Sequence, residues 1–155
     1  MSHPMLAAKS GWEKSDPKEL CDWFNEKVKL NGYQIRRLVK YFKAWADYQN
    51  RKMPSGIAFT VWVAKHYVRR DRDDLSFYET AKAIKRSFGI FSVECPNPAT
   101  PNDDLLNKLN DQQIDNFQDE FNHLIKQCEA ALLEKNEENA CKVWRQVFGY
   151  SFPTI

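Results

Sequence analysis

Lys43 and Ser55 are the residues of this sequence whose types and positions best suit the binding of an anion. Lys43 lies in a stretch of helical periodicity that Met53-Pro54 interrupts, and Ser55 then precedes an apolar helix. A serine at this position leaves a hydroxyl and free backbone N–H groups at an open helix N-terminus, which favours a phosphate. If the two helices pack antiparallel, Lys43 stands two turns before the bend, about 10 Å along the axis. A lysine and a triphosphate can span that distance.

Two further cations share the helix face of Lys43. Arg36, Lys40, Lys43 and Asp47 are spaced by four, three and four residues, so three cations and one acid form one stripe beside an apolar face. Such a stripe suits a groove that holds phosphates. A solvated face without a ligand is the alternative, and periodicity by itself favours it.

Catalytic and metal-binding patterns are not indicated by the sequence. HExxH, GxGxxG and P-loop motifs do not occur. None of the three histidines, His3, His66 and His123, has an obvious nucleophile beside it in the sequence. The four cysteines are at least 13 positions apart, which predicts free thiols rather than a zinc site. Asp71-Arg72-Asp73 has the D-x-D form of a magnesium-binding pair. It lies between two predicted helices among arginines, so we interpret it as a solvated turn.

Helical periodicity dominates the chain, which has only five glycines and little strand-like alternation. We predict an all-α fold of about six helices, with a loosely ordered lead-in over 1–14, a helical nucleotide-binding lobe over 15–155 and an extended Pro-rich connector at about 90–104. The first three helices are predicted over 17–31, 33–50 and 57–68, with Ser55 as the N-cap of the third. The fourth runs from a cap at Asp73 or Asp74 to Gly89, the fifth over 112–135, and the last ends at Gly149.

Apolar spacing also predicts which side of each helix faces the core. The inward residues of the fourth helix are predicted to be Leu75, Tyr78, Ala81, Ile84 and Phe88. Those of the fifth are predicted to be Ile114, Phe117, Phe121, Leu124, Cys128 and Leu132.

Composition and charge narrow the class of protein. With 43% hydrophobic residues the chain can bury a core, and its longest apolar run, Ile57–Ala64, is far too short to span a bilayer. No secretory signal pattern is present, so we expect a soluble, cytoplasmic protein without a membrane partner. Residues 1–90 hold 18 Lys/Arg and 10 Asp/Glu, a net charge of +8, whereas residues 91–155 hold 5 and 11, a net charge of −6. The basic half suggests an anionic partner, and packing between complementary halves is the alternative.

Several motifs resemble a known family. Gly11-Trp12 with Ser15-Asp16-Pro17, the run from Arg36 to Trp45, and Met53-Pro54-Ser55-Gly56 resemble the C-terminal helical half, the oligoadenylate synthetase-like half, of the cGAS/DncV-like nucleotidyltransferases. Trp144 and Phe148-Gly149-Tyr150-Ser151-Phe152-Pro153 resemble the bacterial members. The resemblance covers nearly all of residues 11–153, and it implies the lobe that closes one side of a nucleotide cleft.

The resemblance also implies a function. Members of this family join nucleoside triphosphates into cyclic or linear oligonucleotide messengers, and bacterial members act in CBASS antiphage operons. It implies that Lys43 and Ser55 contact the triphosphate, and from their stripe we infer that Arg36 and Lys40 support the phosphates or the acceptor nucleotide. Mg²⁺ and nucleoside triphosphates are expected in the complete enzyme. The family's Gly-Ser loop and metal-binding acids are missing here, so we expect no cofactor on this chain and no turnover without a catalytic lobe.

Two other functions remain as alternatives. In the first, the chain is a stand-alone helical protein-interaction or regulatory module. In the second, it binds nucleic acid through its basic half. Nucleic acid is disfavoured because no recognition-helix motif or base-reading Asn/Gln cluster is present. A lobe separated from its partner predicts accessible aromatics near the first two helices, such as Trp12, Tyr41 or Tyr48.

Overall fold

The fold is a bundle of helices with one small hairpin. The computed structural model describes residues 17–89 and 93–149, so the predicted lead-in over 1–14 lies outside the described residues. The elements follow in the order α1 (Pro17–Asn31), α2 (Gln34–Tyr48), α3 (Gly56–His66), α4 (Asp73–Arg86), β1 (Pro96–Asn97), β2 (Thr100–Asp104), α5 (Asp111–Leu133) and α6 (Glu137–Phe148). The prediction of an all-α fold with about six helices is confirmed, with one small hairpin in addition.

Local signals in the sequence set most helix ends. Gly32 follows α1 with φ of +98°, a left-handed conformation that glycine adopts without steric cost. Ser55 caps α3 as predicted, because its hydroxyl accepts from the Ala58 N–H. Asn110 and Gln113 form a reciprocal capping box that starts α5 one residue before the predicted position.

An aromatic core joins the helices around α3. Trp62 of α3 stacks on Phe117 of α5 with ring centroids 5.5 Å apart and an interplanar angle of 4°. The ring centroids of Phe42 of α2 and Phe77 of α4 are 4.3 Å apart. Buried aromatic pairs combine a large apolar area with a defined geometry, so these contacts fix how α2, α3, α4 and α5 pack. The apolar residues of α3 are otherwise buried, but Ile57, in the first turn of that helix, is 51% exposed.

The predicted start and inward face of α4 were partly wrong. Arg72, not Asp73 or Asp74, occupies the N-cap position, and it makes no side-chain cap. Both aspartates instead lie in the first turn, where their charge favours the helix dipole. Phe77 is 1% exposed, whereas Tyr78, which was predicted to face inward, is half-buried. The helix is rotated relative to the prediction because Phe77 packs between α2 and α6.

Part of the predicted connector is a hairpin. Strands β1 and β2 pair antiparallel, with Pro96 opposite Asp104 and Asn97 opposite Thr100. The Asp104 carboxylate accepts from the Cys95 N–H at 3.1 Å and so ties the two sides together. The Trp62 indole N–H donates to the Glu94 carbonyl at 3.1 Å, which anchors this segment to the core. Proline content predicted an extended chain but not its pairing with itself.

The helices of the described residues include no candidate membrane span. Within residues 17–89 and 93–149, none combines the length and the apolar character needed to cross a bilayer.

Candidate anion-binding site

The turn between α2 and α3 forms an open helix N-terminus. Ser55 has an extended backbone, with φ −69° and ψ 162°, and its exposed side chain accepts from the Ala58 N–H at 3.3 Å. The Phe59 N–H makes a hydrogen bond to the Ser55 carbonyl at 3.3 Å. The N–H groups of Gly56 and Ile57 precede this bond, so they are available to an anion at the positive end of the helix dipole.

The Lys43 side chain lies across this helix terminus. A Cβ built on Gly56 would stand 2.9 Å from Lys43 Cε and 3.6 Å from Lys43 Nζ. The ammonium is therefore next to the first residue of α3, adjacent in sequence to Ser55. The structure places the Lys43 side chain beside Gly56, the residue after Ser55. A site shared by Lys43 and Ser55, and its contact with a triphosphate, stay predictions.

The positive charge of Lys43 is open to solvent at this site. Lys43 is exposed, and among the described residues it forms no ion pair with a carboxylate. The site therefore combines a solvent-facing ammonium, a hydroxyl and two backbone N–H donors. Such a set suits phosphate oxygens, which accept several charge-assisted hydrogen bonds at once.

The other two predicted cations are placed differently along α2. The Arg36 guanidinium donates to Asn25 Oδ1 at 2.8 Å and lies over the Phe24 ring at 5.4 Å, so it faces α1. Seven residues separate Arg36 from Lys43, which is about 10 Å along a helix. Lys40 is exposed between them. Support of phosphates by Arg36 and Lys40 stays a prediction.

Gly56 and Ile57 are parts of this site that the sequence reasoning did not assign. In the sequence, Gly56 closes the Met53-Pro54-Ser55-Gly56 segment and Ile57 begins the longest apolar run. The available signal was a glycine directly after the capping serine, at a helical position that other residues fill more favourably. Ile57 shows no sequence signal that distinguishes it from its buried neighbours.

His66 and the D-x-D string, which the sequence also singles out, each have their own local environment. Burial, and then the nearby Lys65, lower the pKa of His66, which is half-buried at the far end of α3. Asp73 of the D-x-D string forms an ion pair with Arg37 at 2.7 Å. Across the parts of the chain that the structure describes, no three His, Cys, Asp or Glu side chains converge as metal ligands.

Sequence comparison relates the chain to synthases of cyclic nucleotides. No protein-family model matches it. It is 42% identical over 86 residues to a cyclic GMP-AMP synthase of Escherichia albertii, which covers 51% of this chain and 19% of that protein. It is 25% identical over 151 residues to a cyclic AMP-AMP-AMP synthase of an Acinetobacter species, which covers 92% of this chain and 44% of that protein. The chain thus spans less than half of the length of either relative.

Structural comparison gives the same relationship at the level of the fold. The GTP-bound form of Vibrio cholerae DncV matches 90% of this chain with a TM-score of 0.74 and 23% identity. DncV in complex with the linear intermediate pppA(3′,5′)pG matches with a TM-score of 0.71. The chain covers 39% and 38% of those two structures. The predicted resemblance to the cGAS/DncV-like nucleotidyltransferases is confirmed, and it concerns part of such a protein.

Proposed function

We propose that this chain, which is similar to part of the cGAS/DncV-like cyclic oligonucleotide synthases, is the helical substrate-binding lobe of a CBASS nucleotidyltransferase. In this proposal the lobe binds the triphosphate of a nucleoside triphosphate. A catalytic lobe completes the cleft and makes cyclic oligonucleotide messengers in antiphage defence. The structural relatives include complexes with GTP and ATP, which supports nucleotides as the ligand class.

One observation carries the proposal, which is the position of Lys43 over the open N-terminus of α3. The ammonium stands beside Gly56, and the Ser55 hydroxyl lies at the same helix end. A triphosphate placed there would meet a positive side chain and backbone donors together. Each hydrogen bond to a charged group contributes about 1.5–3 kcal/mol, so two or three give measurable affinity even in an open half-cleft.

Titration of the chain with GTP, followed by ¹H–¹⁵N NMR, tests this site. We expect the largest shifts at the Gly56, Ile57 and Ala58 amides, and similar shifts with inorganic tripolyphosphate. Guanosine, which has no phosphates, is the ligand control and should leave these amides unmoved. Shifts that are equal for guanosine and GTP would contradict a phosphate site.

Lys43→Ala and Ser55→Ala test the two side chains. We expect each to weaken GTP binding, Lys43→Ala by about tenfold or more because it removes a charge-assisted contact of about 1.5 kcal/mol or more. Lys126→Ala is the matched control, since it removes an exposed cation from α5. Unchanged affinity in Lys43→Ala, with a folded spectrum, would refute the proposal.

Metal chemistry is not assigned to this lobe. The described residues do not fit a Mg²⁺ site, because no converging set of acids occurs within 17–89 and 93–149. We therefore expect this chain by itself to make no product from radiolabelled ATP and GTP with Mg²⁺. Cyclic product from the purified chain would overturn this part of the proposal.

A stand-alone interaction module is the second candidate, and exposed apolar side chains, which a lobe separated from its partner also predicts, are the surface it would use. Leu30 and Tyr33 are 74% and 73% exposed on either side of the α1–α2 turn. Of the aromatics predicted to be accessible, Tyr48 is 49% exposed, Tyr41 is half-buried and Trp12 lies outside the described residues. The module predicts that GTP leaves the α3 amides unmoved, so the same titration separates the two functions.

A further inference from the structure

Gly56 has a close contact that its backbone does not explain. Among the described glycines, positive φ values occur at Gly32 and Gly149, so Gly56 is not needed for a left-handed conformation. Glycine is also a poor helix former at the start of α3. What distinguishes the position is the Lys43 side chain, whose Cε occupies the space that a Cβ would need.

We infer that Gly56 is a positioning residue that lets Lys43 lie across the N-terminus of α3 and so holds its ammonium at the triphosphate site. This inference rests on the proposed function. A Cβ at 2.9 Å from Lys43 Cε is closer than nonbonded carbons tolerate, and the flexible end of the lysine would have to move away. The ammonium would then leave the helix terminus, although the backbone would stay in place.

The melting temperature and the triphosphate affinity of Gly56→Ala together separate a positioning role of Gly56 from a structural role. Alanine is a better helix former than glycine, and the colliding atoms belong to the mobile end of an exposed side chain. Gly56→Ala should therefore leave the melting temperature unchanged or raise it. Triphosphate affinity should fall in the same variant. A residue that served only the fold would change both in the same direction.

A double-mutant cycle on the full chain tests the inference, with inorganic tripolyphosphate as the probe. We expect Gly56→Ala to raise Kd about three- to tenfold, because one charge-assisted contact is lost. In a Lys43→Ala background the same change should alter Kd by less than about twofold, since the two substitutions remove one interaction. The ¹³Cε NMR signal of Lys43 should also shift in Gly56→Ala.

Two results would overturn the inference without touching the proposed function. One is a Gly56→Ala variant that binds tripolyphosphate like the unsubstituted chain while Lys43→Ala binds it more weakly. The other is an equal loss from Gly56→Ala with and without Lys43, which would mean that the glycine admits the phosphate directly. If Lys43→Ala itself has no effect, the proposed function fails and this inference with it.

A measurement on the unsubstituted chain keeps the inference testable if Gly56→Ala does not fold. The contact in the structure predicts a nuclear Overhauser effect between the Gly56 Hα and Lys43 Hε protons. Its absence from a spectrum in which both residues are assigned would overturn the inference.

Discussion

The Asp73 carboxylate, at the start of α4, binds side chains at the start of α2. Its carboxylate accepts from Arg37 Nε at 2.7 Å and Nη2 at 3.1 Å, and from Gln34 Nε2 at 3.0 Å. Gln34 in turn accepts from the Tyr67 hydroxyl at 2.6 Å. The hydrogen bond from Arg37 is the largest cause of a pKa for Asp73 below its ordinary value of 3.8. These contacts hold the loop between α3 and α4 against α2.

Asp73→Asn should destabilise the chain in a pH-dependent way. A folded-state pKa below the unfolded value means that the carboxylate stabilises the fold above the unfolded pKa, and that this is lost as pH falls through the folded pKa. The pair is partly exposed, with side-chain exposures of 51% and 27%, so we expect a cost of about 1 kcal/mol at neutral pH. Urea unfolding of both proteins should show the difference near pH 7 and little near pH 2.

Asp22→Asn is the control for that measurement. Asp22 pairs with Lys18 at 3.0 Å, and both side chains are 61% exposed, so screening by solvent leaves a contribution of at most about 0.5 kcal/mol. An Asp73→Asn effect that is no larger than this, or that is equal at both pH values, would contradict the role of the Arg37 contact.

Single residues of the anion site differ in how far the sequence predicts them. Local signals, a helical period and an N-cap, single out Lys43 and Ser55, but placing them in one site also requires that α2 and α3 pack antiparallel. Arg36 lies on the same stripe, yet its contacts with Asn25 and Phe24 depend on how α1 packs, which periodicity does not specify. The closeness of Gly56 to Lys43 depends in the same way on the crossing of two helices.

At the scale of elements, the sequence predicts where helices occur better than which side they bury. Caps and breakers act within one turn, so the ends of α1, α3 and α6 follow from a few neighbouring residues. The buried face of α4 depends instead on partners far along the chain. Phe77 and Tyr78 are both aromatic neighbours, and only the packing against α2 and α6 selects Phe77.

Phe77→Ala and Tyr78→Ala measure that selection. Phe77 is buried against Phe42 and Phe148, so its truncation should cost about 3–5 kcal/mol through lost burial and a cavity. Tyr78 is half-buried and makes a 3.0 Å hydrogen bond to Glu129, and its loss should cost less than about 2 kcal/mol. Urea denaturation compares the two, and a larger cost for Tyr78→Ala would mean that the predicted face was right.

At the scale of the whole molecule, the basic half keeps its excess of positive charge although some of its cations pair with its own acids. Six ion pairs occur within residues 17–89, including Arg70 with Glu79 and Arg72 with Asp74. Contacts across to the acidic half include hydrogen bonds, from Tyr78 to Glu129 and from Lys85 to Asn122. Six of the sixteen Lys and Arg side chains in residues 17–89 are paired in this way, and the proposed anion site uses one of the others, Lys43.

This distribution predicts how binding responds to salt. A protein that neutralises many duplex phosphates loses about 10³–10⁵ in affinity between about 50 and 200 mM salt, because each contact releases a counterion. A site built on one lysine and a helix terminus has few such contacts, so its affinity for GTP should fall less than about tenfold over that range. GTP titration by NMR and anisotropy of a labelled DNA duplex, at the same salt concentrations, measure the two dependences. Tight duplex binding with a steep salt slope, together with α3 amides that ignore GTP, would favour a nucleic-acid function over a triphosphate-binding lobe.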